Sequence, residues 1–146
     1  MGVSVECLPG PTAFVPALVA SGFPCDKFVF EGFLPPKKGR ATRLAILADE
    51  PRTIIIYESP KKLERTLRDL VQFFGPERRA SVCREISKLH ETYHIETLNS
   101  LHKYFSENQA KGEIVIIVEG KDLKSSKRKD HEEFCPNEFY SEDEDR

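Results

Sequence analysis

Three charged residues lie at and just after the end of a predicted strand, in the segment Arg84-Glu85-Ile86-Ser87-Lys88. Cations at this spacing can hold a phosphate or hydroxyl oxygen, while a carboxylate between them orients them and an amine or carboxylate steers a proton. We therefore take Arg84, Glu85 and Lys88 as candidate catalytic residues. A surface cluster of salt bridges without chemical activity explains the same pattern, because exposed ion pairs are often inert.

Two other predicted strands also end in chemically unusual residues. The first ends in Leu8-Pro9-Gly10-Pro11-Thr12, where Gly10 lets backbone approach a ligand and Thr12 offers a hydroxyl and an amide at a helix start. The second ends in Tyr57-Glu58-Ser59-Pro60, and a carboxylate after so apolar a strand must be paired or face a cleft. Ligands of open α/β sheets bind beyond strand ends, so we expect these segments to share one edge. Ordinary turns and helix caps are the alternative.

A basic segment places Lys37, Lys38, Arg40 and Arg43 within seven positions, after two prolines. Phosphate contacts dominate the affinity of proteins for nucleic acids, so this loop is a candidate RNA-binding patch. A solvated basic loop is equally compatible with the pattern. The four cysteines and four histidines lack the spacing of metal ligands, and we expect no metal site.

The hydrophobic pattern predicts an α/β fold, with a mixed sheet of about five or six strands flanked by helices. The third helix has a clear signature, because Ser59 and Pro60 suit its first turn and Gly75 its end. Predicted strands cover residues 3–8, 27–34, 52–59, 79–86, 92–97 and 112–120, and predicted helices cover 11–22, about 40–50, 60–75 and 98–108.

The chain has 146 residues, enough for one domain with a substantial core, and a net charge of −2 that favours no class of partner. We expect the domain to cover residues 1–120, because residues 121–146 are charged, poor in aliphatic side chains and typical of a disordered tail. Cys7 and Cys83 lie in apolar runs and are expected to be buried. No signal peptide or long apolar segment is evident, which predicts a cytoplasmic protein without membrane contact.

Four segments, taken together and in order, resemble the second half of bacterial 16S ribosomal RNA 2′-O-ribose cytidine methyltransferases. They read LPGPTAFVPALVASGFPCDKFVFEGFLPPKKG, YESPKKL, CREISKLHE and GEIVIIVEG, and the resemblance runs from about Val3 to Gly120. That family is part of the tetrapyrrole methylase superfamily and uses S-adenosylmethionine. The resemblance implies a transferase that methylates a ribose 2′-hydroxyl in the RNA of the small ribosomal subunit.

The resemblance also assigns residues to the cofactor. The implied cofactor-binding set consists of Gly10, Thr12, Ala13, Tyr57 and Glu58. Thr12 and Ala13 would lie beside the methionine portion, and Tyr57 near the adenosine. The family usually reads YESPHR where this chain reads YESPKK, so a lysine replaces the bidentate donor fork of an arginine.

For the acceptor, the resemblance gives Arg84 and Lys88 the task of holding RNA phosphate or ribose, with Glu85 orienting them. Methyl transfer is an in-line displacement at a sulfonium carbon, so such an enzyme mainly positions its substrates. A small-molecule tetrapyrrole methylase is the alternative within the superfamily. A non-enzymatic module for dimerisation or RNA docking is the alternative from another class.

Family members begin with an N-terminal α/β domain that carries a glycine-rich loop and an acidic segment, and the cofactor lies between the two domains. Neither element is found in these 146 residues. The resemblance therefore predicts that Pro9-Gly10-Pro11 forms one wall of a shared cofactor cleft and that this chain alone is inactive or nearly so. Superfamily members are usually dimers, which predicts a homodimer.

Overall fold

The computed structural model describes residues 5–122, and within that range the chain forms four helices and five strands. In chain order these are α1 (Phe14–Ser21), β1 (Phe28–Phe33), α2 (Arg40–Ala48), β2 (Thr53–Glu58), α3 (Pro60–Phe74), β3 (Arg79–Arg84), β4 (Thr92–Thr97), α4 (Leu98–Glu107) and β5 (Ile114–Val118). The predicted α/β fold with a mixed sheet is confirmed.

The five strands form one sheet in the order β1-β2-β5-β3-β4. β1 and β2 are parallel, whereas β5 pairs antiparallel with both β2 and β3, and β4 pairs antiparallel with β3. Every residue of β5 is buried, and so are Ile54, Ile55 and Ile56 of β2. These continuous β-branched runs are covered on both faces of the sheet, as is the middle of β3 from Ala80 to Cys83.

The two faces of the sheet are covered unequally. Helices α2, α3 and α4 pack on one face over a large core that includes Leu67, Leu70 and Leu101. On the other face α1 covers only a small cluster around Ile55, Cys83 and Ile117. We call these the three-helix face and the α1 face.

The amphipathic helix α3 shows how the sequence produces this arrangement. Pro60 occupies the first turn, where a missing N–H is tolerated, and Ser59 precedes it in an extended conformation. The helix buries Leu63, Leu67 and Leu70 against the sheet. It ends before Gly75, which has a positive φ that residues with a side chain rarely adopt.

One predicted element is wrong within the described range. Residues 5–8 form no strand and are exposed, as is Cys7, although the pattern predicted a strand over 3–8 and a buried thiol. An apolar run becomes a strand only if another strand accepts its hydrogen bonds, and none of the five strands pairs with this segment. Cys83 is buried as predicted. Most of the predicted tail, 121–146, lies outside the described residues.

Candidate functional site

A pocket of about 310 Å³ opens at the edge of the sheet where β1 and β2 end and β5 begins. Since β1 and β2 are parallel, their carboxyl ends meet there, which is the usual place for a ligand in an open α/β sheet. The pocket is lined by Ala13, Phe33, Tyr57, Glu58, Glu113, Ile114 and Val115.

An exposed aromatic cluster extends from this pocket along β1 on the α1 face. It consists of Phe14, Phe28, Phe30, Phe33 and Tyr57. The Tyr57 ring centroid lies 5.2 Å from that of Phe30 and 5.8 Å from that of Phe33, both edge-on. Phe33 is 68% exposed, an unusual position for so large an apolar side chain.

A β-bulge explains why three phenylalanines of β1 share one face. Side chains normally alternate along a strand, so Phe28 and Phe33, five positions apart, belong on opposite faces. The register with β2 shifts between Phe30 and Gly32, and Gly32 has a φ of 69°. The extra residue reverses the alternation and returns Phe33 to the face of Phe30. The sequence gives no direct sign of this bulge apart from the glycine.

The predicted cofactor residues are only partly brought together. Ala13 and Tyr57 line the pocket, and Gly10 and Thr12 lie in the exposed segment just before α1. Glu58 borders the pocket, but its carboxylate is on the three-helix face, where it accepts hydrogen bonds from the Thr66 hydroxyl at 2.7 Å and the Ser59 N–H at 2.7 Å. Its carboxylate is thus already satisfied within the chain.

The loop after β3 carries Glu85 and Lys88 to the rim of the pocket. The Glu85 Oε1 atom accepts from the backbone N–H of Glu113 at 2.7 Å and from the Lys88 Nζ at 3.1 Å. Lys88 also lies 3.1 Å from the carboxylate of Glu113, which lines the pocket. Glu85 and Ser87 both have positive φ, a sparsely populated conformation for non-glycine residues, which makes the loop turn sharply.

Within the trio of Glu85, Lys88 and Glu113, hydrogen bonds with Glu113 and with each other shift the pKa values of Glu85 and Lys88. The hydrogen bond from the Glu113 N–H, followed by that from Lys88, lowers the pKa of Glu85 below its ordinary value. Hydrogen bonds to Glu85 and Glu113 raise the pKa of Lys88. Lys88 is therefore an ammonium donor at neutral pH, suited to hold an anionic or hydroxyl oxygen.

Arg84 is separated from this trio by the sheet. Its side chain lies on the three-helix face, in a different pocket of about 160 Å³ beside Thr92, His94 and Tyr104. Its Nη2 atom donates to the carbonyl of His90 at 3.2 Å, which ties it to the end of the loop. Burial, and then the charge of Arg84, lower the pKa of His94.

The basic segment, which runs from the loop after β1 into the first turn of α2, divides into exposed and paired residues. Lys37 and Lys38 are exposed, and Arg43 is paired with Glu31 of β1. Arg40 is only 8% exposed and donates to Asp69 at 2.8 Å, to Thr66 at 2.8 Å and to the Pro35 carbonyl at 3.2 Å. The positions alone do not distinguish the one arginine that points inward.

Sequence reasoning missed Arg65, which lines a groove of about 220 Å³ together with Lys37 and Phe73. Its Nη2 atom approaches the carbonyl of Pro36 at 3.4 Å. Arg65 stands on the exposed side of α3, two turns before its end, and therefore shares no local motif with the loop that it adjoins. Helical spacing from the buried Leu67 and Leu70 was the available signal that it faces outward.

Within residues 5–122, no group of three or more His, Cys, Asp or Glu side chains is placed to hold a metal ion. In the same part of the chain, no helix is both long and apolar enough to cross a membrane.

The mixed sheet, its unequal coverage and the pocket at the ends of its parallel strands describe an α/β domain with a candidate ligand site. The family model for tetrapyrrole (corrin/porphyrin) methylases matches residues 1–102, and the chain belongs to this family. It is 46% identical over 123 residues to the ribosomal RNA small subunit methyltransferase I of Pseudomonas aeruginosa, covering 82% of this chain and 44% of that protein. The enzyme of the same name from Synechocystis is 46% identical over 119 residues, covering 81% and 43%. The chain thus spans less than half the length of these relatives.

Solved structures agree on the fold. A cobalt precorrin-4 methyltransferase superposes with a TM-score of 0.61 at 16% identity, over 78% of this chain and 51% of that one. A uroporphyrin-III C-methyltransferase from Thermus thermophilus, complexed with S-adenosylhomocysteine, superposes with a TM-score of 0.55 at 18% identity, over 80% and 53%.

Proposed function

We propose that this chain is one domain of an S-adenosylmethionine-dependent methyltransferase that modifies a cytidine ribose 2′-hydroxyl in 16S rRNA of the small ribosomal subunit. The observation that carries the proposal is the identity of 46% with relatives named for methylation of that RNA. The proposal also assigns the chain to the cytoplasm, where ribosomal subunits are found.

The pocket at the ends of β1 and β2 fits one side of the cofactor. Its lining combines the Tyr57 and Phe33 rings with the aliphatic side chains of Ile114 and Val115, which suits a purine ring and the hydrocarbon part of a methionine chain. When bound, the cofactor supplies an activated methyl group. Ala13 and Tyr57 would contact it directly, Gly10 and Thr12 would approach it from the segment before α1, and Glu58 would act by fixing the end of β2.

At the rim, Lys88 would hold a ribose or phosphate oxygen of the acceptor as an ammonium donor. Glu85 would position Lys88, because its carboxylate is anchored to the Glu113 backbone at 2.7 Å. Arg84 would act through the loop that it fastens at His90, since its side chain lies on the opposite face from Tyr57. In this proposal the three candidate catalytic residues divide into one contact residue and two positioning residues.

The RNA would lie along the exposed basic side of the molecule. Lys37, Lys38 and Arg65 adjoin one another there, and Arg43 stands one turn further along α2 with its charge shared by Glu31. Such cations would bind phosphates without reading the sequence.

The exposed aromatic cluster implies that another surface completes the pocket. The part of the relatives that this chain does not span would supply the opposite wall, so the proposal includes little or no activity of this chain alone. A homodimer is a second way in which the exposed apolar surface would be covered.

The test is calorimetric titration of the chain with S-adenosylmethionine. It is run alone and after addition of the separately expressed part of the Pseudomonas relative that the chain does not span. We expect binding only in the mixture, and methyl transfer to small ribosomal subunits there as well. Tyr57→Ala should abolish both the binding and the methyl transfer. Tyr93→Ala, which removes a tyrosine of β4 on the same face of the sheet, serves as the matched control. Transfer by the chain alone, or no binding in either case, would contradict the proposal.

The family description favours a second candidate, a methylase that acts on a tetrapyrrole. In the complemented mixture, transfer of methyl to a porphyrinogen and not to ribosomal subunits would support that candidate. The exposed cations Lys37, Lys38 and Arg65 favour RNA as the substrate. They lie outside the pocket, and a single tetrapyrrole bound in the pocket would not extend over this surface as well.

A further inference from the structure

Arg40 lies at the centre of a buried polar network between the basic loop and the end of β2. Its three nitrogen atoms reach three different groups: the Pro35 carbonyl, the Asp69 carboxylate and the Thr66 hydroxyl. Thr66 is fully buried, and its hydroxyl donates a hydrogen bond to the Glu58 carboxylate at 2.7 Å. The order of donation is therefore from Arg40 to Thr66 to Glu58.

Each charge in this network depends on the others. Arg40 and Glu58 are 8% and 6% exposed, and a buried charge without a partner is strongly unfavourable. The guanidinium presents its donors on three nitrogen atoms fixed in one plane, one for each acceptor, whereas the three N–H groups of an ammonium diverge from a single nitrogen. A lysine at this position would therefore leave at least one acceptor unpaired.

The two ends of the network belong to the two halves of the proposed site. One end holds Pro35, two residues before the first of the exposed lysines Lys37 and Lys38. The other end holds Glu58, the neighbour of Tyr57, whose ring lines the pocket on the opposite face. Gly39, with a φ of 80°, is the N-cap residue at the end of the loop, and α2 begins at Arg40.

We infer that Arg40 is a positioning residue, which fixes the loop of Pro35 to Gly39 against α3 and β2 so that Lys37 and Lys38 are presented to RNA phosphates. The inference rests on the proposed function for the ligand, but it assigns Arg40 a role different from direct contact. Thr66 transmits this effect without any access to the RNA.

The experiment measures the affinity of the whole chain for a fluorescein-labelled single-stranded RNA over a series of salt concentrations. The slope of log affinity against log salt reports the number of phosphates contacted, at about 0.7 per contact. We expect the double variant Lys37→Ala, Lys38→Ala to lower the slope by about 1.4. Arg40→Lys and Thr66→Val should lower it by about 0.7 to 1.4, although Thr66 is buried and Arg40→Lys keeps the charge.

Three controls separate positioning from stability. All measurements are made at a temperature where circular dichroism shows each variant to be folded. Thr66→Ser restores the hydroxyl and should restore the slope. Arg52→Lys changes an exposed arginine paired only with Glu50 and should leave the slope unchanged.

The possible outcomes are distinct. If Lys37→Ala, Lys38→Ala lowers the slope while Arg40→Lys and Thr66→Val do not, the inference is overturned and the RNA proposal stands. If the double lysine variant leaves the slope unchanged, the loop does not bind RNA, and both the patch and the inference are wrong. If Thr66→Val fails to fold, the slope measured for Arg40→Lys decides whether the inference stands.

Discussion

Cys83 and Arg84 are neighbours in β3, yet their side chains lie on opposite faces of the sheet. Cys83 is fully buried on the α1 face with Ile55 and Val115, and Arg84 lines the pocket on the three-helix face. The alternation of a strand separates them by the thickness of the sheet. It also separates Arg84 from the aromatic pocket that its sequence neighbours Glu85 and Lys88 approach.

The buried thiol predicts a loss of stability at alkaline pH. Burial is the main cause that raises the pKa of Cys83 to about 11, from an ordinary value of 9.0. Above pH 9 the unfolded chain releases this proton while the folded chain retains it. The free energy of unfolding therefore falls with rising pH between about 9 and 11, by roughly 1.4 kcal/mol per pH unit. Urea denaturation at a series of pH values measures the slope.

Cys83→Ala is the control for that slope. Other groups titrate in the same range, including Tyr93, whose pKa is raised by burial and by Glu91. The difference between the wild-type and Cys83→Ala profiles isolates the thiol. Parallel profiles between pH 9 and 11 would show that the thiol does not contribute.

Lys88→Ala should raise the pKa of Glu85 only part of the way to its ordinary value. Lys88 is the second cause of the lowered pKa, and the backbone N–H of Glu113, the first, remains in the variant. Carbon-13 NMR titration of the carboxyl group measures this shift. A lowered carboxyl pKa contributes stability to the fold above the ordinary carboxyl pKa, and this contribution is lost as the pH falls. Because the contribution is smaller in the variant, its stability should depend less on acid than that of the wild type. Lys111→Ala, with the same charge change, should leave Glu85 unaffected.

Gly120→Ala should destabilise the fold by about 1–3 kcal/mol. A Cβ atom at Gly120 would collide with the backbone carbonyl of Pro51, and that backbone is held by the neighbouring hydrogen bond from Lys121 to Glu50 at 2.8 Å. Thermal or chemical denaturation measures the loss. A variant as stable as the wild type would show that this junction relaxes freely.

Gly10→Ala is the matched substitution at the proposed cofactor site. Among residues 5–122, nothing lies within 4 Å of a Cβ atom at Gly10, so the stability should change by less than about 0.5 kcal/mol. If the backbone there approaches the cofactor, the same variant should weaken binding in the complemented titration. Unchanged binding would remove Gly10 from the site.

Patterns of local sequence predicted the central elements well. The β-branched runs of β2 and β5 and the stripe of α3 fixed those elements to within one or two residues, because burial on both faces or on one stripe leaves a strong periodic signal. The failure at residues 5–8 has the opposite cause, since an edge segment depends on partners that its own sequence does not encode.

Side-chain direction was harder to predict than the elements. Four basic residues in one segment look alike, but only Arg40 turns inward, because Thr66 and Asp69 on a helix 26 and 29 positions away receive it. The positive φ of Glu85 likewise accompanies hydrogen bonds with Glu113, far along the chain. Such tertiary relationships leave no periodic trace.

The place of β5 has a consequence for the order in which a growing chain can fold. This strand is the last in sequence among the described residues and yet the middle one in the sheet, between β2 and β3. Before the ribosome releases Ile114–Val118, the parallel pair β1–β2 and the hairpin β3–β4 have no strand to join them. Their inner edges stay open until then, and the sheet closes in a single late step when β5 enters between them.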